Sequence, residues 1–172
     1  VKSLARFKRE RTLNETFTYM RNLVEAGVDL FDVDLGCYDN WWLPHPPETM
    51  KPGLFLEVAQ AAKDFFFEHK IVTNQGQPVA IAAVGKLGYP DLAEKALADG
   101  LCDLVMLGRP LLADPQWPNK AYAGCVPDIR PCIGCQEACV HEFIQGGHPM
   151  CAVNPRTSFE LTLPAEISRA SQ

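Results

Sequence analysis

Cys132, Cys135, Cys139 and Cys151 are spaced C-x2-C-x3-C-x11-C within PCIGCQEACVHEFIQGGHPMC. A thiolate is a soft ligand, and four of them converging on one point suit a 4Fe-4S cube or a tetrahedral zinc ion. Structural zinc sites usually bring two short Cys pairs separated by a longer loop. Three thiolates crowded between positions 132 and 139, with a distant fourth, favour the cube. A zinc-stabilised structural domain stands as the alternative. His141 and His148 fall inside the block and read as solvated or hydrogen-bonding groups rather than ligands. Cys37, Cys102 and Cys125 are scattered in a chain without an export signal, so reduced thiols are expected rather than a disulfide framework. No cation or helix N-terminus can be assigned beside Cys37, which reads as an inert thiol.

A second constellation repeats. Val84-Gly85-Lys86 and Leu107-Gly108-Arg109 each bring a glycine and then a cation to the end of an apolar, strand-like run. Glycine lets backbone N–H groups approach an anion, and Lys and Arg supply a point charge and a planar fork, so the pairing suits a phosphate. An ordinary strand-to-helix turn is the alternative for either one alone. A third is the loop 36–47, which carries Cys37, Tyr38, Asp39, Trp41, Trp42 and His45.

The elements that must position these residues follow from periodicity. Leu13, Phe17, Met20, Leu23 and Val24 form a helical stripe over 12–26, with Thr12 and Glu15 spaced as a capping box and Gly27 at the end. A strand is expected at 28–35 and a helix over 53–69. PVAIAAV (78–84) reads as a buried parallel strand, 90–99 as a helix with Pro90 at its start, and 103–107 as a brief strand. Short helices are expected at 117–123 and 138–145. Strands alternating with helices imply parallel crossovers, hence an α/β fold: an open doubly wound sheet or part of a (β/α)8 barrel. A whole barrel needs ~250 residues, and only three strands precede the cysteines, so a barrel reading makes this a C-terminal half. The two Gly-cation loops would then follow strands 7 and 8, where barrel enzymes often bind phosphate.

The chain has 172 residues, 47% hydrophobic and 22% charged, as expected of a globular protein with a sizeable core. Sixteen basic against 21 acidic residues, net −5, give no electrostatic reason for nucleic acid or an anionic membrane as partner. No apolar run approaches the ~20 residues of a membrane span, and VKSLARFKRERTLNE lacks a secretory core, so a cytoplasmic setting is expected. The start at Val1 suggests a fragment. There is no G-x-G-x-x-G.

Three stretches, GLCDLVMLGRPLLADPQWPNKA, DIRPCIGCQEACVHEFIQGGHPMCAVNPR and DVDLGCYDNWWLPHPP, resemble the iron-sulfur flavoenzymes of the old yellow enzyme type, the family of 2,4-dienoyl-CoA reductase, trimethylamine dehydrogenase and the 2-enoate reductases. The cysteine spacing is similar to the dienoyl-CoA and enoate reductase variant, and the third stretch resembles the enoate branch. The resemblance runs from about Thr12 to Arg156. It implies half of an FMN-binding (β/α)8 barrel over 1–125, a four-cysteine 4Fe-4S segment over 126–156, and a linker over 157–172. Gly85-Lys86 and Gly108-Arg109 would hold the flavin phosphate, with Ala83, Val84 and Leu107 supplying neighbouring backbone. Tyr38 aligns with a loop residue able to donate a proton during hydride addition, with an aromatic packed under the loop as the alternative. The implied activity is NAD(P)H-dependent reduction of an activated C=C bond of a small enoate or enoyl-CoA. FAD and NAD(P)H would bind in a part of the enzyme outside this chain, and the missing half-barrel, or a second copy, would cover the open barrel edges. Catalysis by this piece alone is not expected. An electron-transfer or metal-binding module docking on a separate catalytic subunit is the alternative from another class.

Overall fold

The computed structural model describes residues 11–37 and 40–165. The chain forms two compact units, Val1–Pro46 with Met50–Met106, and Pro47–Thr49 with Leu107–Gln172.

In the first unit, α1 (Leu13–Glu25), β1 (Leu30–Val33), α2 (Leu56–Glu68), β2 (Ala80–Ala83), α3 (Pro90–Ala98) and β3 (Leu104–Val105) alternate along the chain. Thr12 caps α1 reciprocally: its hydroxyl accepts from the Glu15 N–H, and the Glu15 carboxylate accepts from the Thr12 N–H at 2.7 Å. The three strands form a parallel sheet in the order β1-β2-β3, with Leu30 opposite Ala80, Val33 opposite Ala83, and Ala82 opposite Leu104. The fold is therefore α/β with a parallel sheet. β2 is central, and Ile81, Ala82 and Ala83 are buried, as expected of a strand covered on both faces. Val58, Ala59, Ala62 and Phe66 of α2, spaced along one stripe, pack with Met20 and Val24 of α1 into the same core. Phe17 stacks on Phe65 at 4.8 Å between ring centroids. Asp103 ties the base of the sheet, accepting from the Ile81 N–H at 2.8 Å and pairing with Lys63 at 2.6 Å.

Ile81 is fully buried. Ile81→Val removes one methyl from this packing and is expected to cost about 1 kcal/mol. Urea unfolding checks it, with a lower midpoint and an unchanged slope.

At the end of β2, Gly85 has φ +107°, and a Cβ there would fall 2.6 Å from Phe55 Cδ2. Close approach of Phe55 and a left-handed backbone both demand glycine at this position. The Gly85 carbonyl accepts from the Gly53 N–H at 3.0 Å, which fixes the turn into α2.

The expected elements form with trimmed ends. The strand expected at 103–107 pairs only through Leu104 and Val105. A helix not anticipated from sequence, α4 (Arg109–Ala113), begins where Gly108-Arg109-Pro110 reads as a loop. Proline is tolerated in a first helical turn because the N–H there lacks an intrahelical partner anyway. Among the described residues no helix is long and apolar enough to cross a membrane.

Candidate metal centre

The second unit is built from short pieces: α4, α5 (Trp117–Tyr122), a 3-10 turn at Val126–Asp128, and α6 (Val140–Ile144). With little regular structure, its shape rests on a few polar anchors. Asp114, just past α4, is 4% exposed. Its carboxylate accepts from Lys120 Nζ at 2.6 Å, from the Arg130 N–H at 2.9 Å and from the Gln116 N–H at 3.0 Å. Lys120 also donates to the Asp128 carbonyl at 2.8 Å. The chain entering Pro131-Cys132 is thereby pinned to the start of α5. Burial alone would raise the Asp114 carboxyl, but Lys120 and the two backbone N–H groups outweigh it and hold it below the ordinary carboxylate value.

A second anchor is the Leu112 carbonyl of α4, which accepts from Asn154 Nδ2 at 2.9 Å and Thr157 Oγ1 at 2.7 Å. Asn154 and Thr157 are both buried, so the segment following Cys151 is docked on α4. The Met150 N–H donates to the Ala138 carbonyl at 2.6 Å, laying the approach to Cys151 beside Cys139. Between Cys132 and Cys139 the chain turns tightly, with Gly134 at φ +66° and Gln136 at φ +64°. A Cβ on Gly134 would lie 2.9 Å from the Glu48 backbone nitrogen, so residues 47–49 pack directly on the cysteine turn.

These anchors bring Cys132, Cys135, Cys139 and Cys151 around one hollow. All four are free thiols, Cys135 exposed and the others half-buried. Arg109 and Gln136 also line the hollow, and the rest of its wall is apolar: Leu112, Ile133, Ala138, Ala152 and Val153. Burial raises the Cys139 thiol above its usual value, and Cys132 and Cys135 push the same way. The Val140 N–H and the Arg109 guanidinium act in the opposite direction. A metal must displace that proton to bind. His141 and His148 are exposed and lie outside the lining. Cys102 is buried and Cys37 and Cys125 are exposed, all three outside the hollow.

The chemistry of the donor set suits a sulfur-ligated iron centre, since four free thiols line one hollow whose remaining wall is largely apolar. Among the described residues, no group of three or more His, Cys, Asp and Glu side chains is gathered so that it could hold a metal ion. A tetrahedral zinc with Zn–S bonds near 2.3 Å draws its thiolates to roughly 3.8 Å from one another. A cube gives each iron its own thiolate, so its ligands stand further apart around a body of some girth.

The other residues singled out from sequence fall as follows. Ala83 is buried and Val84 half-buried at the end of β2, and Lys86, at φ +54°, donates through Nζ to the Met50 carbonyl at 2.6 Å. Leu107, Gly108 and Arg109 belong to the other compact unit, and nothing lies within 4 Å of a Cβ built on Gly108. Tyr38 lies outside the described residues. In the loop that carries it, buried Asn40 accepts from the Cys37 N–H, and the His45 ring stacks on Trp41 at 4.5 Å. Burial raises the Asp34 carboxyl at the end of β1, against the Leu35 N–H and His45, which lower it. Asp114, Glu48 and Asn154 are the structural contributors that sequence reasoning does not single out. An Asp before a Pro signals only a turn, and no local pattern ties Glu48 to Gly134.

No protein-family model matches the chain. It is 37% identical to cinnamate reductase of Clostridium sporogenes over 145 residues, 84% of this chain and 20% of that protein. NADH oxidase of Thermoanaerobacter brockii is 34% identical over 145 residues, again 84% of the chain, and 21% of the relative. The solved structure of 2-naphthoyl-CoA reductase with 2-naphthoyl-CoA superposes with a TM-score of 0.74 at 28% identity, covering 88% of this chain and 22% of that one. The chain is thus a relative of the old-yellow-enzyme-like iron-sulfur flavoenzymes, matched over most of its length. It spans about a fifth of the length of the curated relatives it matches.

Proposed function

We propose that the chain is the C-terminal half of an FMN-binding (β/α)8 barrel with the iron-sulfur segment of an NAD(P)H-dependent oxidoreductase that reduces an activated C=C bond of an enoate or enoyl-CoA. The observation that supports the cofactor is that four free thiols line one hollow whose remaining wall is largely apolar. The relatives named cinnamate reductase and 2-naphthoyl-CoA reductase support the substrate class.

In this reading Cys132, Cys135, Cys139 and Cys151 each ligate one iron of a 4Fe-4S cluster, within a segment spanning 126–156. Bound there, the cluster supplies single-electron transfer between a reduced FAD and FMN. The chain's own part is to hold four thiolates at fixed positions and to line the space between them with the apolar side chains of Leu112, Ile133 and Val153. Residues 1–125 belong to the barrel, and the outer strands β1 and β3 are the edges that the other half-barrel or a second copy would cover. Ala83, Val84, Gly85 and Lys86, and separately Leu107, Gly108 and Arg109, are assigned to the flavin phosphate, and Tyr38 to proton donation. FAD and NAD(P)H are assigned to the remainder of the full-length enzyme, in the cytoplasm.

Anaerobic reconstitution with iron and sulfide tests the centre. The expected product is brown, with about four irons per chain. A colourless protein holding one zinc would overturn the iron assignment in favour of a zinc-stabilised module.

A further inference from the structure

Gly134 is buried although Ile133 and Cys135 on either side of it are exposed. What lies on it is Glu48: a Cβ built on Gly134 would fall 2.9 Å from the Glu48 backbone nitrogen, 2.9 Å from its Oε2 and 3.0 Å from its Cα. Pro47–Thr49 therefore lies as a strap against the turn that joins Cys132 to Cys139. The residues next to it are fastened within the first unit. The Pro46 side chain is fully buried, and the Met50 carbonyl accepts from Lys86 Nζ at 2.6 Å. On its N-terminal side the strap continues the loop that follows β1, which is folded on itself: Gly36 lies directly against Pro44, and the Leu43 N–H donates to the Asn40 carbonyl at 2.8 Å. The turn under the strap needs outside ties. Gln136 holds a left-handed backbone that a residue with a Cβ adopts only at a cost, and Gly134 stands between two of the four thiols.

We propose that Pro47–Thr49 is a strap that couples filling of the cysteine hollow to the order of the loop that follows β1. This rests on reading the hollow as a cluster site. Bonds from Cys132 and Cys135 to a bound group fix Gly134 between them, and so fix the surface on which Glu48 sits; with the hollow empty the turn loses those ties and the strap loosens. The coupling is reciprocal. The factor by which filling the hollow closes the strap equals the factor by which a closed strap tightens iron binding. Because Pro47 follows Pro46 directly, a strap held in place also fixes the end of the loop behind it. That loop is then set only in a chain whose hollow is filled.

The test is hydrogen exchange read by mass spectrometry on the chain before and after anaerobic reconstitution with iron and sulfide, following the peptide over 40–49 with β2 as internal reference. Loading is expected to slow exchange at the Glu48 and Thr49 amides by about tenfold or more, to slow Leu43 in the same direction, and to leave β2 unchanged. Pro47→Gly, which frees the strap backbone without touching a thiol, is expected to lose iron to a chelator about fivefold faster than the parent. Lys51→Ala, exposed and just beyond the strap, is expected to match the parent. Exchange over 40–49 that does not respond to loading, or that slows no more than β2, overturns the coupling, and so does parental iron retention in Pro47→Gly. Should Pro47→Gly fail to fold, the exchange comparison on the parent decides alone. Failure of the parent to take up iron overturns the reading of the hollow instead.

Discussion

Cys139→Ala is expected to lose the brown absorbance after anaerobic reconstitution and to retain almost none of the roughly four irons per chain expected of the parent. Cys139 sits at the start of α6, half-buried, with Cys132 and Cys135 near enough to raise its thiol. Its neighbours on the hollow wall are largely apolar, and among the described residues that line the hollow there is no carboxylate or imidazole to take its place. Cys125→Ser supplies the comparison, because Cys125 is exposed and outside the hollow; its iron content is expected to match the parent. Iron and sulfide analysis with the visible spectrum decides the matter. Full loading of Cys139→Ala would remove that thiol from the ligand set.

Asp114→Ala is expected to cost about 3 kcal/mol, the lower end of what removing one partner of a buried ion pair costs, because Lys120 keeps part of its hydration. The loss has three parts: the Lys120 ammonium and the N–H groups of Gln116 and Arg130 all give up their acceptor. Urea unfolding measures it, and a cost below about 1 kcal/mol would show that the anchor is dispensable. The same carboxylate sets an acid limit. Its folded pKa lies below the ordinary value, so its contribution is complete above that ordinary value and is lost as pH falls through the folded one. Stability should therefore decline below about pH 4 in the parent, and Asp114→Asn should flatten that part of the profile.

Much of the first unit is legible in the sequence because its signals are local. The stripe from Leu13 to Val24 and the Thr12-Glu15 box define α1, and the short apolar run around Ile81 defines β2. The thiol spacing likewise identifies the residues that line the hollow. What periodicity misses is set by tertiary contacts. α4 is only five residues long and opens on Gly-Arg-Pro, too short for any stripe to show. Lys86 and Arg109 follow glycine in the same way, yet Lys86 donates to the Met50 carbonyl while Arg109 is among the residues that line the cysteine hollow. Thr157, which the sequence leaves in a weakly patterned tail, is buried on the Leu112 carbonyl, a partner 45 residues away.

Because Pro47–Thr49 packs with the cysteine unit while the residues on either side of it belong to the other unit, the sulfur-rich part is discontinuous in the chain. A peptide beginning at Leu107 would carry every thiol of the hollow yet lack Glu48, the neighbour that lies against Gly134. Grafting this centre onto another scaffold would thus need two inserted pieces and not one excised cassette, and a change of loop length near Pro47 would register first in how the sulfur turn is held.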